Sequence, residues 1–361
     1  MEKNMIPTYN QIPSLTWNWL HMNEAEHAGA HFTSSYKCFL EHSKEIISEY
    51  TSGFSLLDMK TGMGSVMNDF VSSLDIPVLT LTADSSDVPL GYENKANLSF
   101  HYTQEIAELS AVELIVPDHT QMTVIMNFTA DEMAEKTAGI LTKYHIGKNA
   151  SLRFIQVEML NDHVEFYNDI GGRVEENGSF ELIQLVLGAK QSFLGCYTDL
   201  FGKSSKQKTR MAYYLSGNEM LDINEVVSHA GRKTNCDIAA YGVLRDESTK
   251  LFRGTIDFLK GAKGAVGNEI EDVLLMDDHV VNKTIPVILC AEEEVEGNHG
   301  ASIGKIDEGL LFYLESRGIS KDAVYEMMAK SKIDIVKHQI ADEKIVAQIN
   351  DFLQKKENDI K

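Results

Sequence analysis

The chain has 361 residues, 43% of them hydrophobic and 24% charged, and a formal net charge of -21. These proportions fit a folded chain of two or three domains or one elongated body, and the charge excludes phosphate backbones and anionic lipid surfaces as natural partners. No run approaches the ~20 apolar residues of a membrane helix, and Met1 to Asn10 is polar, so no membrane span and a cytoplasmic location are expected.

The first part of the chain, residues 1–110, reads as a mixed, partly helical region. Trp17-Asn18-Trp19 anchors an aromatic N-terminal segment. Between Tyr36 and Tyr50 the spacing of Cys38, Phe39, Ile46 and Ile47 beside Glu41, Lys44 and Glu45 predicts an amphipathic helix with Cys38 in the core. The methionine-rich stretch Leu56 to Phe70 fits helix or loop, and its methionines read as core filling.

From about Ala111 to Cys290 the texture changes to short apolar runs alternating with polar positions. Met122 to Phe128, Leu152 to Val157, Phe180 to Leu187, Thr209 to Leu215, Leu221 to Val227, Asp237 to Leu244 and Leu251 to Leu259 are of this kind. Turn residues separate them, at Gly147-Lys148-Asn149, Gly171-Gly172, Asn177-Gly178, Gly217-Asn218 and Asp246 to Ser248. No amphipathic helix intervenes, which excludes a helix-alternating α/β fold and leaves a sandwich, a barrel or a solenoid. The length without a helical insertion fits a solenoid best, at about 20–25 residues per coil. A strict hexapeptide repeat is missing.

After Asp307 the pattern turns helical. One helix ends at Gly318; a second, capped by Ser320, covers Ala323 to Ala329; a third runs from Ile335 to Phe352, its stripe made by Ile340, Ile345, Ile349 and Leu353. The domain division is thus 1–110, a β core over 111–304 and a helical region over 305–361.

Catalytic templates fail in turn. There is no GxSxG elbow, no Walker A sequence, no GxGxxG after a strand and no HExxH. The four cysteines, Cys38, Cys196, Cys236 and Cys290, form no CxxC pair, so no self-contained zinc site is expected. Cys290 and His299 are the pair to weigh, because thiolate and imidazole both suit iron and iron–sulfur species. Nine residues across a turn do not by themselves put both on one metal. Read alone, Cys290 is a buried strand cysteine, and His299 belongs to a turn at Gly297-Asn298-His299-Gly300.

At these residues the chain resembles the SufB/SufD family of the SUF iron–sulfur cluster assembly system, and SufD more than SufB. The resemblance is carried by His299-Gly-Ala-Ser-Ile-Gly-Lys-Ile-Asp307 and Leu311-Phe-Tyr-Leu-Glu-Ser-Arg-Gly-Ile319, with support from Phe252-Arg-Gly-Thr-Ile256 and Thr16-Trp-Asn-Trp-Leu20. It implies a right-handed parallel β-helix flanked by N- and C-terminal helical regions. It also implies a non-enzymatic scaffold that pairs with SufB, or with a second copy of itself, and docks the SufC ABC-type ATPase through the C-terminal helices. No nucleotide is expected on this chain itself. Iron or a transient iron–sulfur cluster is expected at the subunit interface, with His299 and Cys290 as its donors. Two departures bear on that site: Gly297-Asn298 replaces the usual SufD Cys-Ser, and Cys290 falls where SufB carries its assembly cysteine. Loss of the motif thiol leaves open a purely structural, ATPase-docking scaffold.

Overall fold

In the computed structural model, which describes residues 8–14, 22–26, 31–84, 94–103, 107–131 and 136–359, the chain is wound into a parallel β-helix of about seven turns. Each coil contributes one strand to each of two facing sheets. The first sheet runs in space from Val281–Cys290 through Thr249–Phe258, Met220–His229, Gln191–Leu200, Val164–Val174, Lys136–Ile146 and Ala107–Val116 to Val78–Ala83 and Ile46–Thr51. The second runs from Glu296–Gly304 through Val266–Leu275, Asn235–Leu244, Lys206–Leu215, Ser179–Val186, Ser151–Met159 and Gln121–Ala130 to Asn94–Tyr102 and Phe39–His42. Residues paired between neighbouring coils lie 26 to 33 positions apart, as for Glu165 with Gln191, Lys208 with Glu181 and Val78 with Ala111. A coil is therefore longer than the 20–25 residues expected, because it holds two strands of about ten residues and two turns.

Alternation explains why these segments form strands with both faces buried. Inward side chains make one continuous apolar core, in which Phe100 stacks on Phe128 with ring centroids 4.8 Å apart and Tyr144 stacks on Phe180 at 4.2 Å. Outward residues of the second sheet, among them Ile155, Val157, Leu185 and Val243, are covered by C-terminal helices. Outward residues of the first sheet, including Leu141, Tyr167 and Phe193, are covered by N-terminal segments.

Among the described residues there are four helices: α1 (Val66–Ser73), α2 (Glu308–Ser316), α3 (Lys321–Lys337) and α4 (Glu343–Asp359). Asp307 caps α2 and Ser320 caps α3 through side-chain oxygens that accept from Leu310 N and Ala323 N, and Gly318 between them takes a φ of 89°. The second and third expected C-terminal helices are divided elsewhere than the spacing suggested. α3 extends to Lys337, and α4 begins at Glu343 after Asp342 accepts from Ile345 N. Ile340, Ile345 and Ile349 are buried as the stripe required.

The N-terminal region differs most from expectation. Tyr36 to Tyr50 is not helical: Phe39–His42 and Ile46–Thr51 are strands, and each pairs antiparallel with the first parallel strand of its sheet. They close that end of the solenoid. The coiled strands begin at Val78 and Asn94, ahead of residue 111, and Glu296–Gly304 is the last. Of the methionine-rich stretch, only Val66–Ser73 is helix. Segment 54–65 crosses the outer face of the first sheet, where Glu113 accepts from Leu56 N, Lys143 Nζ donates to Leu56 O, Asp169 accepts from Met63 N and Asn224 Nδ2 donates to Gly62 O. Thr16 to Leu20 lies outside the described residues.

The turns stack too. His119, Asn149, Asn177, Ser204 and Lys233 all sit at left-handed φ between 53° and 61°, with Gly264 at 76°. Each donates its N–H to a carbonyl in the next coil's turn: Asn149 to Glu176 O (2.9 Å), Asn177 to Lys203 O (2.9 Å), Ser204 to Arg232 O (2.8 Å) and Lys233 to Lys263 O (3.0 Å). The expected turns at Gly147-Lys148-Asn149 and Asn177-Gly178 are part of this ladder. Gly171-Gly172 is not a turn; both glycines lie within the strand Val164–Val174, where a Cβ on Gly171 would meet Lys60 O at 2.0 Å.

Candidate functional site: the open end of the solenoid

The two ends of the β-helix are unlike. Antiparallel strands cap the first coil, but nothing among the described residues pairs with the outer edges of Val281–Cys290 and Glu296–Gly304. Every position from Glu296 to Ile303 is exposed. Unpaired N–H and C=O groups on such an edge form a template for another strand.

Cys290 and His299 are both on this last coil. Cys290 ends its strand beside Phe258, which in turn lies beside His229; Phe258 and Ile256 point into the core, and Ile288, two residues before Cys290, packs against it. Cys290 therefore has inward-facing parity. It is exposed, not buried as read from sequence, because no further coil covers it; its Sγ donates to Glu292 O at 3.0 Å. His299 is in the second sheet, beside Glu269, which lies beside Ile238 of the core. It too belongs to an inward-facing row. Neither Gly297 nor Gly300 takes a left-handed φ, so Gly297 to Gly300 is strand rather than turn, and no anion-binding nest forms there. Thiol and imidazole thus face the mouth of the solenoid from opposite sheets.

Beneath them the core turns polar, which sequence reasoning missed. Glu269 is buried and its carboxyl is pushed up to about 8, first by burial and then by the nearby Glu225 and Glu271 carboxylates, with Lys250 opposing. It points across to the first sheet, where a Cβ on Gly254 would lie 2.4 Å from its carboxylate. Glu271 accepts from Tyr213 Oη (3.0 Å), from Thr284 Oγ1 (2.6 Å) and from Lys250 Nζ, which also donates to Thr284 Oγ1 (3.0 Å). One coil deeper, Glu225 accepts from Gln207 Nε2 at 2.8 Å and from Thr209 Oγ1; burial raises its carboxyl to about 7. His229 Nε2 lies 3.2 Å from Cys236 Sγ, and burial holds its imidazole down at about 4 and therefore neutral. The available signal was the parity of Lys250, Glu269 and Glu271 within alternating strands.

The donor types at the mouth suit iron, but their number does not close a site. Among the described residues no three His, Cys, Asp or Glu side chains are grouped to hold a metal ion.

A second exposed surface lies just downstream. On α2, Phe312 is 73% exposed and Tyr313 52%, whereas Leu311 and Leu314 pack toward the second sheet. The helix presents aromatic side chains outward while its leucines hold it down.

The fold is a two-sheet parallel β-helix, closed at one end by antiparallel strands and bearing an exposed cysteine and histidine at the other. The sequence of residues 100–332 matches the family model described as SUF system FeS cluster assembly, SufBD core domain, and the chain belongs to that family. It is 23% identical over 260 residues to the iron–sulfur cluster assembly protein SufD of Bacillus subtilis, a match covering 71% of this chain and 59% of that protein. It is 28% identical over 191 residues to an iron–sulfur cluster assembly SufBD family protein of Staphylococcus epidermidis, covering 52% of this chain and 41% of the relative. The matches thus span about half the length of these curated relatives. The family match starts before residue 111 and runs past 305, across both boundaries drawn from sequence.

Proposed function

We propose that this protein is a SufD-like scaffold subunit in iron–sulfur cluster assembly, without catalysis of its own, whose open coil is completed by a SufB-type partner. The single observation that carries the reading is that Cys290 and His299 share the unpaired last coil and face its mouth. Completion of the coil by a second β-helix would add donors to the two this chain supplies, and iron or a nascent cluster would be the cargo received there. α2 offers Phe312 and Tyr313 to a SufC-type ATPase, whose nucleotide cycle would move the two scaffolds relative to each other. A second copy of this chain is the alternative partner, because the open edge is available to either.

The test is reconstitution with SufB- and SufC-type partners using wild type, His299→Ala and Cys290→Ser. Both side chains are exposed, so the fold is retained. A drop in iron content and cluster yield is expected with the complex still assembled. Unchanged iron and yield in both variants would leave a purely structural, ATPase-docking role. Purification with the ATPase alone, followed by mass measurement, separates homodimer from heterodimer.

A further inference from the structure

Three consecutive turns on one edge of the solenoid carry a charge pattern opposite to that of the chain. They read Phe-Gly-Lys-Ser-Ser-Lys at 201–206, Ala-Gly-Arg-Lys-Thr at 230–234 and Leu-Lys-Gly-Ala-Lys-Gly-Ala at 259–265. Every charged residue there is basic, in a chain with 54 acids against 33 bases. Lys203, Lys206, Arg232, Lys233, Lys260 and Lys263 are all exposed. Lys263 pairs with Glu294 at 2.5 Å; the other five enter no ion pair among the described residues. The turn ladder, Ser204 N to Arg232 O and Lys233 N to Lys263 O, stacks these loops at the strand spacing of about 4.8 Å. The cations therefore crowd onto a patch roughly 10 Å tall, bordered by the acidic turn Glu292 to Glu294, whose Glu294 holds Lys263 and whose Glu292 accepts from Gly261 N, while the other five cations carry no ion pair among the described residues.

A groove runs beside this ridge. Phe201 opens the first turn and is 51% exposed, with the Arg173 guanidinium 4.4 Å from its ring centroid; Leu259 opens the third and is 39% exposed. Between them and the Met59-Lys60 segment lies a cavity of about 310 Å³, whose wall also holds Asp58, Tyr197 and the Arg173–Asp199 ion pair. That volume is at the small end for ligand pockets and suits one large side chain.

We propose that ridge and groove together form a docking surface for an acidic segment of a partner protein, which lays carboxylates along the three turns and inserts an apolar side chain between Phe201 and Leu259. Charge complementarity identifies the occupant. A long polyanion such as nucleic acid meets the strongly negative remainder of the chain as soon as it leaves the patch. A second copy of this chain is disfavoured because each copy carries a formal net charge of -21, so two whole molecules repel one another where a short acidic segment does not. The surface lies outside the open coil and α2, so it stands or falls independently of the assembly reading.

The test uses the full chain and a fluorescein-labelled peptide of ten residues, glutamates with one central phenylalanine, followed by anisotropy. Saturable binding at low salt is expected, weakening as ionic strength rises. The exposed-surface variant Lys203→Glu/Arg232→Glu/Lys233→Glu should bind roughly 10- to 100-fold more weakly with an unchanged thermal melt. Phe201→Ser should weaken the phenylalanine-containing peptide and leave an all-glutamate peptide unaffected. Absence of saturable binding, or equal binding by the triple variant, overturns the proposal. So does an oligonucleotide of equal charge that binds as tightly, which would reassign the ridge to phosphates. Salt-sensitive self-association in sedimentation that the triple variant abolishes would overturn it in favour of a second copy.

Discussion

Arg253, in the Phe-Arg-Gly-Thr-Ile sequence, is fully buried on the outward face of the first sheet. Its Nε donates to Met22 O at 2.6 Å and its Nη1 to Asp222 Oδ1 at 2.6 Å, and Asn10 Nδ2 donates to the same Asp222 oxygen at 2.7 Å. One guanidinium thus ties two N-terminal segments to the solenoid. Arg253→Met keeps much of the volume and removes both bonds, leaving Asp222 buried with Asn10 as its remaining side-chain partner. Breaking a buried pair from one side costs about 3–5 kcal/mol, chiefly as the stranded charge. Coils touch only their neighbours, so the cost falls locally. At about 1.4 kcal/mol per factor of ten, amide exchange in residues 8–14 and 22–26 should quicken by roughly 100- to 4,000-fold, while the coils from Ser151 to Val186 keep their protection. Hydrogen-exchange mass spectrometry reads both. Arg253→Lys keeps a cation for Asp222 but loses the fork to Met22 O, so it should fall between wild type and the methionine variant, and Asp222→Asn in the Arg253→Met background should restore part of the protection. Wild-type protection of the N-terminal segments in Arg253→Met, or an equal loss throughout the coils, would refute the clamp.

Three further outcomes are expected. The Glu158 carboxyl, fully buried, is pushed up to about 8 by burial against the hydrogen bond from Ser192; because this folded value lies above that of the unfolded chain, its contribution is whole below about pH 4.5 and is lost as pH rises through 8. Calorimetry should therefore show Glu158→Gln raising Tm at pH 9 and changing it little at pH 5. Gly62→Ala would place a Cβ 2.0 Å from Cys196 N and 2.2 Å from Gly195 C, so thermal melts should show a loss of about 1–3 kcal/mol, whereas Gly53→Ala, with nothing within 4 Å, should be neutral. Phe312→Asp changes a side chain 73% exposed, so circular dichroism should be unaltered while pull-down by a SufC-type ATPase is lost; retained binding would move the docking site elsewhere.

The solenoid was legible because seven stretches alternate apolar and polar residues with turn residues between them, and all seven fall on strands. The capping strands were not. Cys38, Phe39, Ile46 and Ile47 satisfy a helical spacing, and only the neighbouring edge, Ser99 opposite Phe39 and Ala83 opposite Ile46, draws that sequence into antiparallel pairing. Tertiary context overrides local periodicity there. Gly297 to Gly300 read as a turn because two of four residues are glycine, yet the strand Val266–Leu275 alongside holds them extended. The polar core was hidden for another reason. A charged residue in an alternating strand signals the solvent side, and the inward placement of Glu269 follows from the space at Gly254 on the opposite sheet, 15 residues away in sequence and one layer away in space. At the candidate site, residue types were readable and exposure was not: whether Cys290 is covered depends on whether another coil follows.

That uncovered coil alters what stability means for this protein. An interior coil is held by two neighbours, and the last has one, so its ordering free energy is set partly by whatever occupies the vacant side. Partner concentration then enters as a term in the folding equilibrium of Val281–Cys290 and Glu296–Gly304, and the melting of this end should be concentration-dependent while the capped end melts at a fixed temperature. Cys290 and His299 sit on the segment so governed. Mass action, rather than any residue within the chain, would set how often the two side chains are presented together.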